Sequence, residues 1–316
     1  MTDKQINKWL RRQFTGTGWI LVAYYVLMNI LVLLSTALDF AAQSLHFTAY
    51  GTQPDPAAIA GNAWGYIAAI LAGFAILYAW KGPDYWWSGV WKKEGKMSLR
   101  VFVCCLSLLI GTQMVNSVWV TGLELLMNLF GGSLMPMLET VSGSADTLSM
   151  FLYSAIFAPI AEELLFRGYI LRTLRPYGKR FAIFASAFLF GLFHGNLVQA
   201  PYAFLVGLLL GYVTVEYSLT WAVALHTFNN LVLADLFTRL TANLSDMVYG
   251  MINMILFGGF FLVSLAILIQ KRQEIKAYCS SEWMDRRCVR CFFLSPGVIV
   301  IMILMAINMV TMFFMY

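Results

Sequence analysis

The sequence predicts an all-α, polytopic membrane helix bundle of about eight or nine transmembrane helices, and three observations predict it. Hydrophobic side chains make up 60% of the 316 residues and charged ones 12%, with a mean hydropathy of +0.73. A soluble domain keeps roughly a quarter of its residues charged, so 16 acids and 21 bases cannot coat a water-facing surface here. The apolar residues fall into stretches close to the helix of about 20 residues that crosses a hydrocarbon core of about 30 Å. The bases cluster between alternate stretches, which assigns a side to each end. The net charge of +5 therefore reflects membrane orientation and does not point to nucleic acid.

The expected spans run approximately 17–37, 61–80, 100–130, 148–170, 181–198, 202–217, 219–238, 247–269 and 293–315. The first is long enough to span, follows a polar stretch and has no small-residue cleavage site after it, so it is read as a helix that stays. The third is too long for one simple crossing. Its second half, residues 122–130 with Glu124, reads as a tilted extension or an outer-surface helix. Residues 83–96 set Tyr85, Trp86, Trp87 and Trp91 among lysines, the composition of a segment in the headgroup layer. Gly207 and Gly211 on the sixth span form a small-x-x-x-small face for close helix approach. With no internal repeat or low-complexity linker visible, residues 1–316 are read as a single transmembrane domain.

Orientation follows from the bases. The N-terminal arm holds Lys4, Lys8, Arg11 and Arg12, and the loop after the second span holds Lys81, Lys92, Lys93, Lys96 and Arg100. Arg167, Arg172, Arg175, Lys179 and Arg180 surround the end of the fourth span. Lys271, Arg272, Lys276, Arg286, Arg287 and Arg290 precede the last span. Nine crossings with a cytoplasmic N-terminus put all of these on one side and leave only Arg239 of the 21 bases outside. The loops at 38–60 and 131–147 carry Asp39, Asp55, Glu139 and Asp146 and no Lys or Arg, which agrees. Cys288 and Cys291 form a C-x-x-C in the cytoplasmic segment, with Cys279 nearby but no His. A zinc site there lacks a fourth protein ligand, and reduced, unpaired thiols are the simpler reading.

An ionisable group within a span costs a few kcal/mol or more, so it faces the bundle interior and usually has a task. That filter leaves Glu162, Glu163, Arg167, His194, Glu216, His226 and Asp235, besides Glu124. Glu163 and Arg167 are four apart, share a helical face and can neutralise one another. Glu162, about 100° round the helix, is then free to face a polar cavity. Phe190 and His194 share a face of the fifth span, and His226 and Asn230 share one of the seventh. Asn230 lies about 40° from His226 and Asn229 about 60° on the other side, which favours Asn230 by a small margin. Glu216 and Asp235 sit near span ends and read as solvated, with the lining of a substrate entrance as the alternative for either, and His46 reads as a solvated outer-loop residue.

Glu-Glu-x-x-x-Arg (Glu162, Glu163, Arg167), Phe-x-x-x-His (Phe190, His194) and His-x-x-x-Asn (His226, Asn230), in this order on successive membrane helices, resemble the motifs of the CPBP (CAAX protease and bacteriocin-processing, Abi) intramembrane proteases. The signature covers about 150–235, under a third of the chain, and makes 148–238 the expected catalytic core helices. The resemblance implies a multi-pass endopeptidase, expected in a prokaryotic plasma membrane, acting on a peptide or protein substrate with or without a lipid. Membrane lipid is the other expected partner.

Peptide hydrolysis needs a water, a base to activate it and donors for the developing oxyanion. The glutamate-type mechanism implied by the resemblance makes Glu162 the base and has His194 hold the same water and relay the proton to the leaving amine. His226 and Asn230 become the oxyanion donors, with Glu163, Arg167 and Phe190 in support and no cofactor. A zinc-dependent alternative uses Glu162, His194 and His226 as ligands with an open water position, although the sequence has no H-E-x-x-H. A non-catalytic immunity or scaffold protein is the rival from another class. A transporter is disfavoured because no inverted repeat or paired broken helices are visible.

With the span ends above, Glu162 lies about 12 Å and His194 about 20 Å from the cytoplasmic face, at about 1.5 Å per residue. One water cannot bridge that difference. The expectation that removes it is a short hairpin of the fifth and sixth helices, its turn buried against protein and its cavity open towards the cytoplasm.

Overall fold

Backbone polar groups at membrane depth must bond within the protein, and every regular element among the described residues is helical. The computed structural model describes residues 2–50, 53, 55–142, 147–281 and 285–315. The principal helices are α1 (Asp3–Tyr50), α2 (Trp64–Lys81) and α3 (Leu99–Leu129). They continue with α4 (Leu148–Tyr177), α5 (Lys179–Phe193) and α6 (Ala200–Glu216). Next, α7 starts as Leu219–Phe228 and runs on through Asn229–Leu236 and Phe237–Thr241. Last are α8 (Asp246–Gln270) and α9 (Pro296–Met315). Among the described residues six helices, α1 to α4, α8 and α9, are long and apolar enough to cross a membrane.

Three expectations change. Helix α1 takes in the basic arm and extends far beyond the expected 17–37, so His46 sits exposed on its last turns and not in a loop. Helix α3 is one unbroken rod, and Glu124 anchors the chain that follows it: its carboxylate accepts from Ser133 Oγ at 2.9 Å and Leu134 N at 2.6 Å. Of the expected outer-loop acids, Asp146 lies outside the described residues.

The third change concerns depth, where the expected short hairpin with a covered turn is present and the end of α4 moves. Helices α5 and α6, with 15 and 17 residues, reach about 22 and 25 Å at ~1.5 Å per residue, short of a core of about 30 Å. Their turn is covered by protein. Trp119 Nε1 donates to the Leu197 carbonyl at 2.9 Å, Asn308 Nδ2 donates to the Gly195 carbonyl at 3.4 Å, and Val198 packs with Leu134 and Met137. Gly195 adopts φ 65° there, a conformation glycine takes at little cost. Helix α4 also continues to Tyr177, beyond the expected 170. Glu162 and His194 are therefore each fifteen residues, roughly 22 Å, from the helix ends on the base-bearing side, Tyr177 and Lys179. The mismatch in depth disappears.

The base-bearing segments meet at one end of the bundle. Arg175 bonds Glu94 at 2.6 Å, and Glu94 N donates to the Tyr217 carbonyl at 2.8 Å. The Arg175 guanidinium holds the Glu94 carboxyl below the usual carboxylate range. Glu216, far from being merely solvated, accepts from Lys179 at 3.3 Å and Tyr278 at 2.9 Å. Arg287 pairs with Asp3 at 2.9 Å, and Arg180 bonds the Cys279 carbonyl. All five cysteines are free thiols, and burial pushes Cys288 up to about 11.

A buried apolar layer fills this end, built on Leu10, Phe14, Trp86, Phe166, Phe181 and Phe292. Here α1 and α9 touch backbone to backbone. A Cβ on Gly18 would lie 2.2 Å from the Gly297 carbonyl carbon and 2.3 Å from Val298 N, neither of which can rotate away. Gly18→Ala is expected to lower the thermal midpoint in detergent, by an overpacking cost of about 1–3 kcal/mol. Gly16→Ala, whose Cβ meets nothing within 4 Å, should leave the midpoint unchanged or raise it.

Candidate active site

Helix α4 carries its two glutamates on a regular α-helical segment, Ala158–Glu163, set between wider π-helical turns at Tyr153–Phe157 and Leu164–Leu171. Pro159 has no N–H for the preceding turn, which loosens the ladder there, and π turns are frequent at functional sites. Helix α7 widens in the same way from Asn229 to Leu236.

Glu163 is the buried hub. Its side chain is 0% exposed, and Oε1 accepts from Arg167 Nη1 at 2.6 Å and from His226 Nδ1 at 2.9 Å. Arg167, also fully buried, donates from Nη2 to the Gly207 carbonyl at 3.2 Å and lies 4.2 Å over the Phe190 ring. The missing side chain at Gly207 permits this approach, since a Cβ there would press on Ala187 at 3.0 Å. Phe190 stands edge-on to both imidazoles, 4.9 Å from His194 and 5.6 Å from His226. One aromatic ring thus separates the guanidinium from the two histidines and limits their rotation.

The second glutamate is placed differently. Glu162 is 31% exposed, and its Oε2 faces His226 Nε2 at 3.7 Å. Because Nδ1 of His226 is engaged by Glu163, any bond this residue makes into the cavity runs through Nε2. His194 Nδ1 lies 2.9 Å from the Phe190 carbonyl; a carbonyl only accepts, so Nδ1 carries a proton and, in the neutral ring, Nε2 carries the lone pair. Glu162, Phe190, His194, His226, Asn229 and Asn230 line one cavity of about 860 Å³.

Asn230 shares that wall, but no bond joins it to His226. Its Nδ2 donates to the Ser154 carbonyl at 3.0 Å and its Oδ1 accepts from Asn229 at 3.1 Å. The 100° count used on the sequence does not hold beyond Asn229, where the π turn adds a residue per turn. Asn229 proves equally integral: its Oδ1 accepts from Tyr202 OH at 2.6 Å and Gln113 Nε2 at 3.3 Å, and Gln113 also donates to Tyr202 OH at 2.6 Å. Gln113 and Tyr202 do not stand out in the sequence because neither carries a charge at neutral pH. An uncharged amide inside an apolar span, such as Gln113, is the signal that finds them.

The cavity does not open at the basic end, the end from which the sequence leads one to expect its mouth. Its exposed lining residues, Ala234, Thr238, Arg239 and Ala242, lie at the far end of α7. Towards the bases it stops at Leu165, Phe166 and Phe190, all 3% exposed or less. At the mouth, Asp235 pairs with Arg239 at 2.9 Å and is not a free solvated carboxylate. Among the described residues no three His, Cys, Asp or Glu side chains stand close enough to share a metal ion.

Residues 144–232 match the family model described as type II CAAX prenyl endopeptidase Rce1-like. The matched stretch contains Glu162, Glu163, Arg167, Phe190, His194, His226 and Asn230, while Gln113 lies before it. No curated protein and no solved structure matches the chain. Long apolar helices and this match together make the chain a multi-pass membrane protein whose segment 144–232 is similar to the CAAX protease family.

Proposed function

We propose that the protein is an intramembrane endopeptidase of the glutamate type. Glu162 takes a proton from a water held between it and His194 Nε2, and the water oxygen attacks the scissile carbonyl carbon. The resulting oxyanion accepts from His226 Nε2–H and from the second N–H of Asn230 Nδ2, the first being engaged by Ser154. His226 must carry a proton on both nitrogens in that step, because Nδ1 is committed to Glu163. As the C–N bond breaks, the proton held by Glu162 passes by way of His194 to the leaving amine. The products are a carboxylate and an amine.

The observation that supports this reading best is the contrast between the two adjacent glutamates. Glu163 is neutralised by Arg167 at full burial, whereas Glu162 has no Lys or Arg partner among the described residues, faces His226 Nε2 at 3.7 Å and lines the same accessible cavity as His194. The reading needs no metal, and its experiment is twofold. Peptides that accumulate in membranes lacking the protein are identified and offered to the purified enzyme and to Glu162→Gln, and the metal content of active enzyme is measured. Stoichiometric zinc whose removal abolishes cleavage would overturn the metal-free mechanism. Retained function in a folded Glu162→Gln variant would favour a scaffold.

Tyr202 and Gln113 act here as positioning residues, holding Asn229 and through it Asn230. Tyr202→Phe keeps the ring and removes the hydroxyl that joins three helices. The expected result is a fall in kcat of about five- to tenfold, equivalent to roughly one hydrogen bond, with KM unchanged. A rise in KM at constant kcat would instead assign Tyr202 to substrate binding.

A further inference from the structure

The site is reached from the end of the bundle opposite the bases. Following α7 from Leu219, which lies beside the basic end through the Tyr217–Glu94 bond, the cavity begins at His226 and continues to Ala242. On α4 the lining runs from Phe166 back to Tyr153, again away from Arg172 and Arg175. Every lining residue that is exposed on α7 belongs to the last turns, and Arg239, the one Lys or Arg of the sequence placed away from the basic segments, stands at the rim.

The opposite route is closed. Below Glu162 lie Glu163 and Arg167, both 0% exposed and tied across to α6 through the Gly207 carbonyl. Beneath them come Leu164, Phe166, Leu174, Phe181 and Phe292, between 0% and 6% exposed. A peptide entering from the basic end would have to displace this layer and break a fully buried ion pair.

Lys and Arg mark the cytoplasmic side of membrane proteins. We infer that the active-site cavity opens to the non-cytoplasmic face, so that the substrates are unfolded peptide segments already delivered to that face, and a cytosolic C-terminus has no route in. This rests on the reading of the site as a peptidase for its second half only; the direction of the opening stands on geometry and charge.

The test uses the full chain in sealed membrane vesicles of both orientations and a membrane-impermeant maleimide. Thr238→Cys and Ala242→Cys should react in right-side-out vesicles, and the exposed native Cys279 should react only in inside-out ones. In parallel, an internally quenched random peptide library is added outside each type of vesicle, with Glu162→Gln as the control, and a second library with an N-terminal acyl chain separates free from membrane-anchored substrates. Cleavage at least tenfold faster in right-side-out vesicles, lost when Thr238→Cys is first labelled, is the expected result. Labelling of Thr238→Cys and Ala242→Cys only in inside-out vesicles, or cleavage confined to them, would overturn the inference. Correct labelling with cleavage that Glu162→Gln does not reduce would leave the opening established and refute the peptidase mechanism instead.

Discussion

Glu162→Gln is expected to reduce peptide cleavage by a factor of about 10²–10⁴, the usual contribution of a positioned general base, with the fold intact. The amide is nearly isosteric and removes the one property the mechanism requires, a carboxylate that accepts the proton of water. Little stability should be lost, because Glu162 is partly exposed and its nearest charged partner, His226 Nε2, is 3.7 Å away. The measurement is single-turnover cleavage alongside a thermal midpoint in detergent. Cleavage within threefold of the parent at an unchanged midpoint would refute the assignment of Glu162 as base. Glu163→Gln should differ, since it loosens both Arg167 and His226 and so lowers cleavage and the midpoint together.

Arg167→Met should produce the largest loss of stability in the chain. The guanidinium is fully buried, bonded to Glu163 at 2.6 Å and to the Gly207 carbonyl at 3.2 Å. Removing one partner leaves a charge in a low-dielectric interior, at a cost of about 3–5 kcal/mol. The Glu163 carboxylate would be left with His226 alone, while its second oxygen already has no partner. The expected outcome is a large drop in thermal midpoint, or failure to accumulate in the membrane. Replacing the pair together, Glu163→Gln with Arg167→Met, should recover part of the midpoint but no activity, because the Glu163 carboxylate that holds His226 Nδ1 is gone. A single variant as stable as the parent would mean that the pair contributes nothing to the fold.

Much of this was legible in the sequence because the bilayer is a severe solvent. It demands long apolar helices, so α2, α3, α8 and α9 lie close to their expected positions, and it makes each ionisable residue within an apolar stretch conspicuous, as Glu162, Glu163, Arg167, His194 and His226 were. The alternation of bases likewise foreshadowed which segments meet at one end, as Glu94 with Arg175 and Asp3 with Arg287 now do.

Other features depend on interactions that linear spacing does not encode. Helix periodicity could not reveal that π turns at Leu164–Leu171 and Asn229–Leu236 shift the register of α4 and α7. Nor could it reveal that Glu163 serves Arg167 and His226 at once, since that bond joins residues 63 apart. The depth of the α5–α6 turn was settled by Trp119 and Asn308, whose side chains supply the bonds that water would otherwise give. The direction of the cavity was decided by where aromatic and aliphatic side chains from distant parts of the chain, Phe14, Trp86, Phe166, Phe181 and Phe292, fill the interior. Composition and local pattern select the solvent and the helices, because each residue's transfer energy is its own. Close packing and pairing between helices are properties of the assembled chain, and only the tertiary structure decides them.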